Sequence, residues 1–121
     1  MKDYIKLIKN EKEGSISVRF DIKTDKIAAL GDKINAVNGG VAMNGSGWEA
    51  LLEWYLDEYY PAVSAGMGSN SAAGMYKAYY KLTPANEKKA EQLAEVLSEV
   101  VENDGKLLDI LKERGEEIDW N

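Results

Sequence analysis

The 121-residue chain contains no cysteine and no histidine. Without cysteine there is no disulfide framework, no thiolate nucleophile and no zinc–thiolate site. Without histidine the usual general base near neutral pH and the commonest transition-metal ligand are both missing. Proline occurs only at Pro61 and Pro84, so each marks an element boundary. No apolar run approaches the roughly 18 residues of a membrane span, and the start Met1-Lys2-Asp3-Tyr4 lacks the apolar stretch of a secretory signal. The cytoplasm is the expected location. A chain this long forms one domain, able to bury about two thirds of its unfolded surface, and 45% hydrophobic with 30% charged residues is the composition of a folded globular protein.

Charge is unevenly spread. Residues 1–82 carry ten Lys/Arg and ten Asp/Glu, so the net charge of −6 belongs entirely to residues 83–121. A summed negative field repels nucleic acid and favours a basic partner; the plainer explanation is a solvated helix face. Large side chains are concentrated too. The stretch Asn44–Leu82 holds two of the three tryptophans and six of the seven tyrosines, so core and exposed aromatic surface are both made there.

Residues 4–9 read as a strand. Asn10-Glu11-Lys12-Glu13-Gly14 reads as a turn whose glycine can take positive φ. In 15–22, Ile16, Val18, Phe20 and Ile22 alternate with Ser15, Ser17, Arg19 and Asp21, the pattern of a half-buried strand hairpinned to the first. Ile27, Leu30, Ile34 and Val37 make one stripe of a helix near 26–38 that ends at Asn38-Gly39-Gly40. Ser46 and Glu49 have capping-box spacing. The helix near 47–60 behind them has Trp48, Leu51, Leu52, Tyr55, Leu56 and Tyr59 on one side, with Glu49, Glu53, Asp57, Glu58 and Trp54 on the other. The Gly/Ser-rich residues 66–74 read as a flexible loop, since they lack the lysine of a phosphate-binding loop and the glycine spacing of a dinucleotide turn. Residues 75–82 form a third strand, with Tyr76, Ala78, Tyr80 and Leu82 opposite Met75, Lys77, Tyr79 and Lys81. Thr83-Pro84 opens a long helix near 85–103, and a last helix near 105–114 ends at Gly115. The fold class is therefore α+β: a small antiparallel sheet of about three strands packed by about four helices.

No catalytic constellation stands out. Acid pairs such as Glu49/Glu53 and Glu95/Glu99 lie on polar helix faces rather than across a cleft. Asn103-Asp104-Gly105 is too short for a calcium loop, and Lys77 and Lys81 lack a serine partner at the spacing of a serine–lysine pair. The expectation is a binding protein with no catalytic residues, metal or cofactor. Trp54, Tyr59, Tyr60 and Tyr79 cannot all point inward, and exposed Trp and Tyr are preferred interface anchors.

Three segments together carry a family resemblance: Asn44-Gly45-Ser46-Gly47-Trp48-Glu49-Ala50 followed by Tyr55-Leu56 and Pro61, then Ser71-Ala72-Ala73-Gly74-Met75-Tyr76-Lys77-Ala78-Tyr79, then Asp104-Gly105-Lys106-Leu107-Leu108. In this order and spacing the chain, over about residues 15–120, resembles immunity protein 51, a group from bacterial polymorphic toxin systems. Two positions depart from the pattern: Ser46 stands where an aromatic is usual, and Ser69-Asn70-Ser71-Ala72 lacks the acids often found before Ala-Gly-Met. The resemblance implies a protein that binds the C-terminal domain of a cognate toxin and blocks its active site without chemistry of its own. The acidic last third suggests a basic toxin such as a nuclease, with no direct contact to nucleic acid or membrane. The residues expected to meet the partner are Trp54, Asp57, Glu58, Tyr60 and Tyr79. The alternative is a general interaction or adaptor domain whose partner is not a toxin.

Overall fold

In the computed structural model the described residues are 2–72 and 74–120. Ala73, from the Ala-Gly-Met motif, lies outside them, as do Met1 and Asn121. Strand β1 (Ile5–Asn10) turns into β2 (Ser15–Asp21) through Gly14, whose φ of 66° is open to glycine at little cost. Helices α1 (Asp25–Asn38), α2 (Gly45–Tyr59) and the single turn α3 (Pro61–Ser64) follow. Then come the two-residue strand β3 (Gly68–Ser69), β4 (Met75–Lys81), the long α4 (Pro84–Glu102), and α5 (Asp104–Arg114) with a 3-10 turn over Gly115–Glu117. The sheet order is β1-β2-β4-β3 and every neighbouring pair is antiparallel.

The sheet is therefore four-stranded rather than three-stranded. The additional strand falls inside the stretch expected to be a flexible loop, at Gly68 and Ser69, which pair with Tyr79 and Ala78. Two residues carry too little alternation to announce a strand; cross-strand bonding makes one here. The helix count also rises by one, because Pro61 begins a turn as well as ending α2. That turn is fixed from across the molecule: the buried Tyr80 hydroxyl donates to the Val63 carbonyl at 2.7 Å.

Register puts Ile5, Leu7 and Lys9 beside Phe20, Val18 and Ile16, and these beside Tyr76, Ala78 and Tyr80. Among the described residues, α2 and α4 pack on this face, which is apolar apart from Lys9. Trp48 of α2 is wholly buried against it, its ring centroid 5.1 Å from that of Phe20 in an edge-to-face contact. An indole of that size removes roughly 200 Å² from water, or about 5 kcal/mol of gross burial. From α4, Ala90, Leu93, Ala94, Leu97, Val100 and Val101 all fall inside, as their stripe requires.

The start of α2 differs from the capping-box expectation. Asn44 is the N-cap, its side chain accepting from the Gly47 N–H at 3.0 Å. Ser46 is therefore the second residue of the helix and exposed, and Glu49 turns away to accept from the Ser71 hydroxyl at 3.1 Å. Glycine is needed on either side of Ser46 because backbone comes in close: a Cβ on Gly45 would lie 1.7 Å from the Ala72 carbonyl oxygen, and one on Gly47 2.4 Å from that of Ala42. Gly115 likewise ends α5 without a left-handed cap (φ −58°). A side chain there would have to displace Asn38, whose Oδ1 lies 2.2 Å from where a Cβ would be.

Candidate functional site

The five residues expected at the partner surface do not form one patch. On the outward side of α2, Trp54 is half-buried, and the Arg114 guanidinium carbon stands 5.1 Å from its ring centroid. Arg114 is the hub of a closed cluster. It forks onto Glu117 at 2.8 and 2.9 Å, donates to the Tyr59 hydroxyl at 3.1 Å and pairs with Glu58 at 3.1 Å. The Glu117 side chain lowers its own proton affinity through this arginine, with a smaller contribution from Trp54. The cluster joins the end of α2 to the end of α5, and it uses Trp54 and Glu58 internally. Tyr59, which the helical stripe placed inward, is 40% exposed: α2 ends there, and its ring leans on Trp54 and Tyr55 instead of entering the core. Tyr60 is half-buried beside Tyr55, ring centroids 6.0 Å apart.

Asp57 belongs to a different feature of the same helix. Glu49, Glu53 and Asp57 run down α2 one turn apart, and among the described residues none of them forms an ion pair. Partial burial first, then repulsion from Glu49 and Asp57, holds the Glu53 carboxyl above its ordinary range. Several acids of the last third are neutralised instead. Lys9 pairs with Glu87 at 2.7 Å, Lys2 and Lys26 both reach Glu102, and Lys33 reaches Asp104 at 3.0 Å. The negative segment seen in the sequence is thus partly a fastening between the acidic helices and the basic first third.

Tyr79 stands on the other face of the sheet, which no helix covers among the described residues. Antiparallel register places Ile8, Ser17 and Tyr79 in one cross-strand row. Ile8 is 37% and Tyr79 42% exposed; they are two of the three large exposed hydrophobic side chains among the described residues. Ser17 between them is only 7% exposed. The adjacent row is Lys6, Arg19 and Lys77, three cations directly opposite one another on adjacent strands. Like charges so placed cost stability. Arg19 Nε donates to the Met75 sulfur at 2.9 Å, a weak acceptor. Among the described residues, none of the three cations forms an ion pair. A shallow cleft of about 320 Å³ lies beside Arg19, bounded by Lys6, Lys23, Asp3, Asp21 and Met75. Sequence reading assigned Arg19 and Lys77 to outward positions, yet without strand order it could not place them in one row.

Among the described residues, no group of acids could hold a metal ion, and no helix is long and apolar enough to cross a membrane. The molecule is a small α+β protein whose distinguishing features are surfaces: an acidic helix side and an uncovered sheet face with cations and an aromatic. It belongs to the immunity protein 51 family, whose model matches residues 5–116. No curated protein and no solved structure matches the chain.

Proposed function

We propose that this chain binds a cognate toxin domain and neutralises it by occluding its active site, contributing no chemistry of its own. The observation that carries the reading is the family match across nearly the whole chain. The expected partner residues divide into two candidate contact surfaces of opposite character. The side of α2 with Trp54, Asp57, Glu58 and Tyr60, adjoining Glu49 and Glu53, complements a basic toxin such as a nuclease. The sheet face with Tyr79 complements an acidic one.

The test is co-expression with the product of the neighbouring toxin gene, scored by growth and by pull-down of a tagged chain. Rescue of growth with a stable complex is the expected result. A toxin that forms no complex with this chain and kills undiminished in its presence overturns the reading and leaves a general interaction domain.

A further inference from the structure

The two candidate surfaces differ in how far their groups are already used. On α2, the Trp54 face lies against Arg114, and Glu58 is ion-paired to the same guanidinium. A partner would have to dismantle that cluster to use either one. On the sheet face, among the described residues, the row of cations has no ion-pair partner. Tyr79 is held across Gly68, where a Cβ would fall 2.5 Å from the ring carbon Cζ, so the ring is positioned before any partner arrives. An ordered aromatic loses little entropy on binding. Beside it, Arg19 is oriented through Nε by the Met75 sulfur, and among the described residues no hydrogen bond or ion pair engages its two terminal nitrogens. A guanidinium steadied at one edge and open at the fork fits a carboxylate bidentately.

The cost of the row is also informative. Lys6, Arg19 and Lys77 repel one another across three strands, with no ion-pair partner among the described residues, in a chain whose net charge is −6. An anionic ligand would turn that repulsion into attraction. The rim identifies what kind of ligand. Asp3, Asp21 and Glu13 border the face, and its centre is the apolar pair Ile8 and Tyr79. A phosphate backbone meets those rim acids unfavourably and offers nothing to the apolar pair. A protein surface with one or two carboxylates beside an apolar side chain matches both rows.

Resting on the immunity reading above, we infer that the uncovered sheet face is where the toxin docks. The toxin element it receives is an acidic protein segment, with Arg19 pairing its carboxylate and Tyr79 covering its apolar neighbour. Lys6 and Lys77 steer and reinforce the contact.

The test measures affinity of the purified toxin domain for the full chain by calorimetry, with each variant's melting curve recorded alongside. Arg19→Ala, Lys77→Glu and Tyr79→Ala should each weaken binding by about 30-fold or more. Glu53→Lys and Asp57→Lys, on α2, should stay within about twofold of the parent. Melting temperatures of the three sheet variants should not fall by enough to explain the loss, since Arg19→Ala and Lys77→Glu relieve repulsion. If Arg19→Ala and Lys77→Glu bind as the parent does while the α2 variants fail, the docking face is wrong although immunity stands. If the parent chain itself does not bind, the immunity reading fails and this proposal with it. A labelled oligonucleotide that displaces the toxin from the parent chain, and loses that ability against Arg19→Ala, would overturn the acidic-protein assignment in favour of nucleic acid.

Discussion

Gly68 and Tyr79 are cross-strand partners, and the phenol ring occupies the space a side chain on Gly68 would need. An aromatic laid over a strand glycine shields that glycine's backbone and is itself held in place. The pair therefore converts a two-residue strand into a support for the most exposed large hydrophobic side chain on the sheet.

Gly68→Ala should therefore act at a distance from stability. The clash is with the far end of a side chain, which the added methyl can push outward without moving backbone, so the melting temperature should change little. Tyr79 would lose its seat, and toxin affinity should drop by a substantial part of what Tyr79→Ala removes. Calorimetry on both variants checks this; equal affinity in Gly68→Ala and the parent would show that the ring's position does not matter.

Gly45→Ala presents the opposite case. Its Cβ would meet the Ala72 carbonyl oxygen at 1.7 Å and the Met75 carbonyl oxygen at 2.9 Å. Both obstacles are backbone, so relief requires moving α2 away from the sheet. A loss of about 3 kcal/mol or more is expected, measured by urea titration with an unchanged slope.

Arg114→Ala should free Trp54. With the guanidinium gone, the ring loses its cationic cover and Glu58 and Glu117 lose their shared partner. Tryptophan emission should move to longer wavelength and the melting temperature should fall by a few degrees. If the toxin docks on the sheet face as proposed, its binding should be preserved, because this cluster fastens α2 to α5 on another side of the molecule. A large affinity loss here would shift the contact to the α2 side.

Alkali should unfold the protein earlier than its carboxylates or lysines alone would predict. Burial pushes the hydroxyls of Tyr55 and Tyr80 up to about 12, and Tyr76 is raised further still. In the unfolded chain tyrosine ionises near 10. Stability is whole below that value and drains as pH climbs from about 10 towards 12, by about 3 kcal/mol per tyrosine at the limit. Denaturant midpoints measured across that window should decline steeply. Tyr80→Phe should make the decline shallower, at a cost near neutral pH of about 1 to 2 kcal/mol from the orphaned Val63 carbonyl.

Most of the fold was legible because periodicity reports burial. Ile16, Val18 and Phe20 alternate inward, and Ala90, Leu93 and Leu97 line one side of α4, as their spacing requires. Local chemistry was less legible where two caps competed. Asn44 took the role that Ser46 and Glu49 were spaced to share, and the helix so started has Gly45 against the Ala72 carbonyl. Tyr59 broke its stripe because a helix end is free to turn its last side chain outward. The cationic row was hidden for a different reason. Lys6, Arg19 and Lys77 are far apart in sequence, and only the order β1-β2-β4 brings them side by side. Alternation gives the face of each residue; pairing gives its neighbours.

The sheet is open on one face, while each of its edges carries a feature that discourages strand addition. One edge is the two-residue β3, and the other, β1, carries Lys6 and Lys9. A partner reaching this sheet must therefore be read through side chains, and those side chains bear almost none of the fold's weight. Exchanging Lys6, Arg19, Lys77 or Tyr79 would leave the core facing the helices untouched. One scaffold can in this way change allegiance by a few surface substitutions.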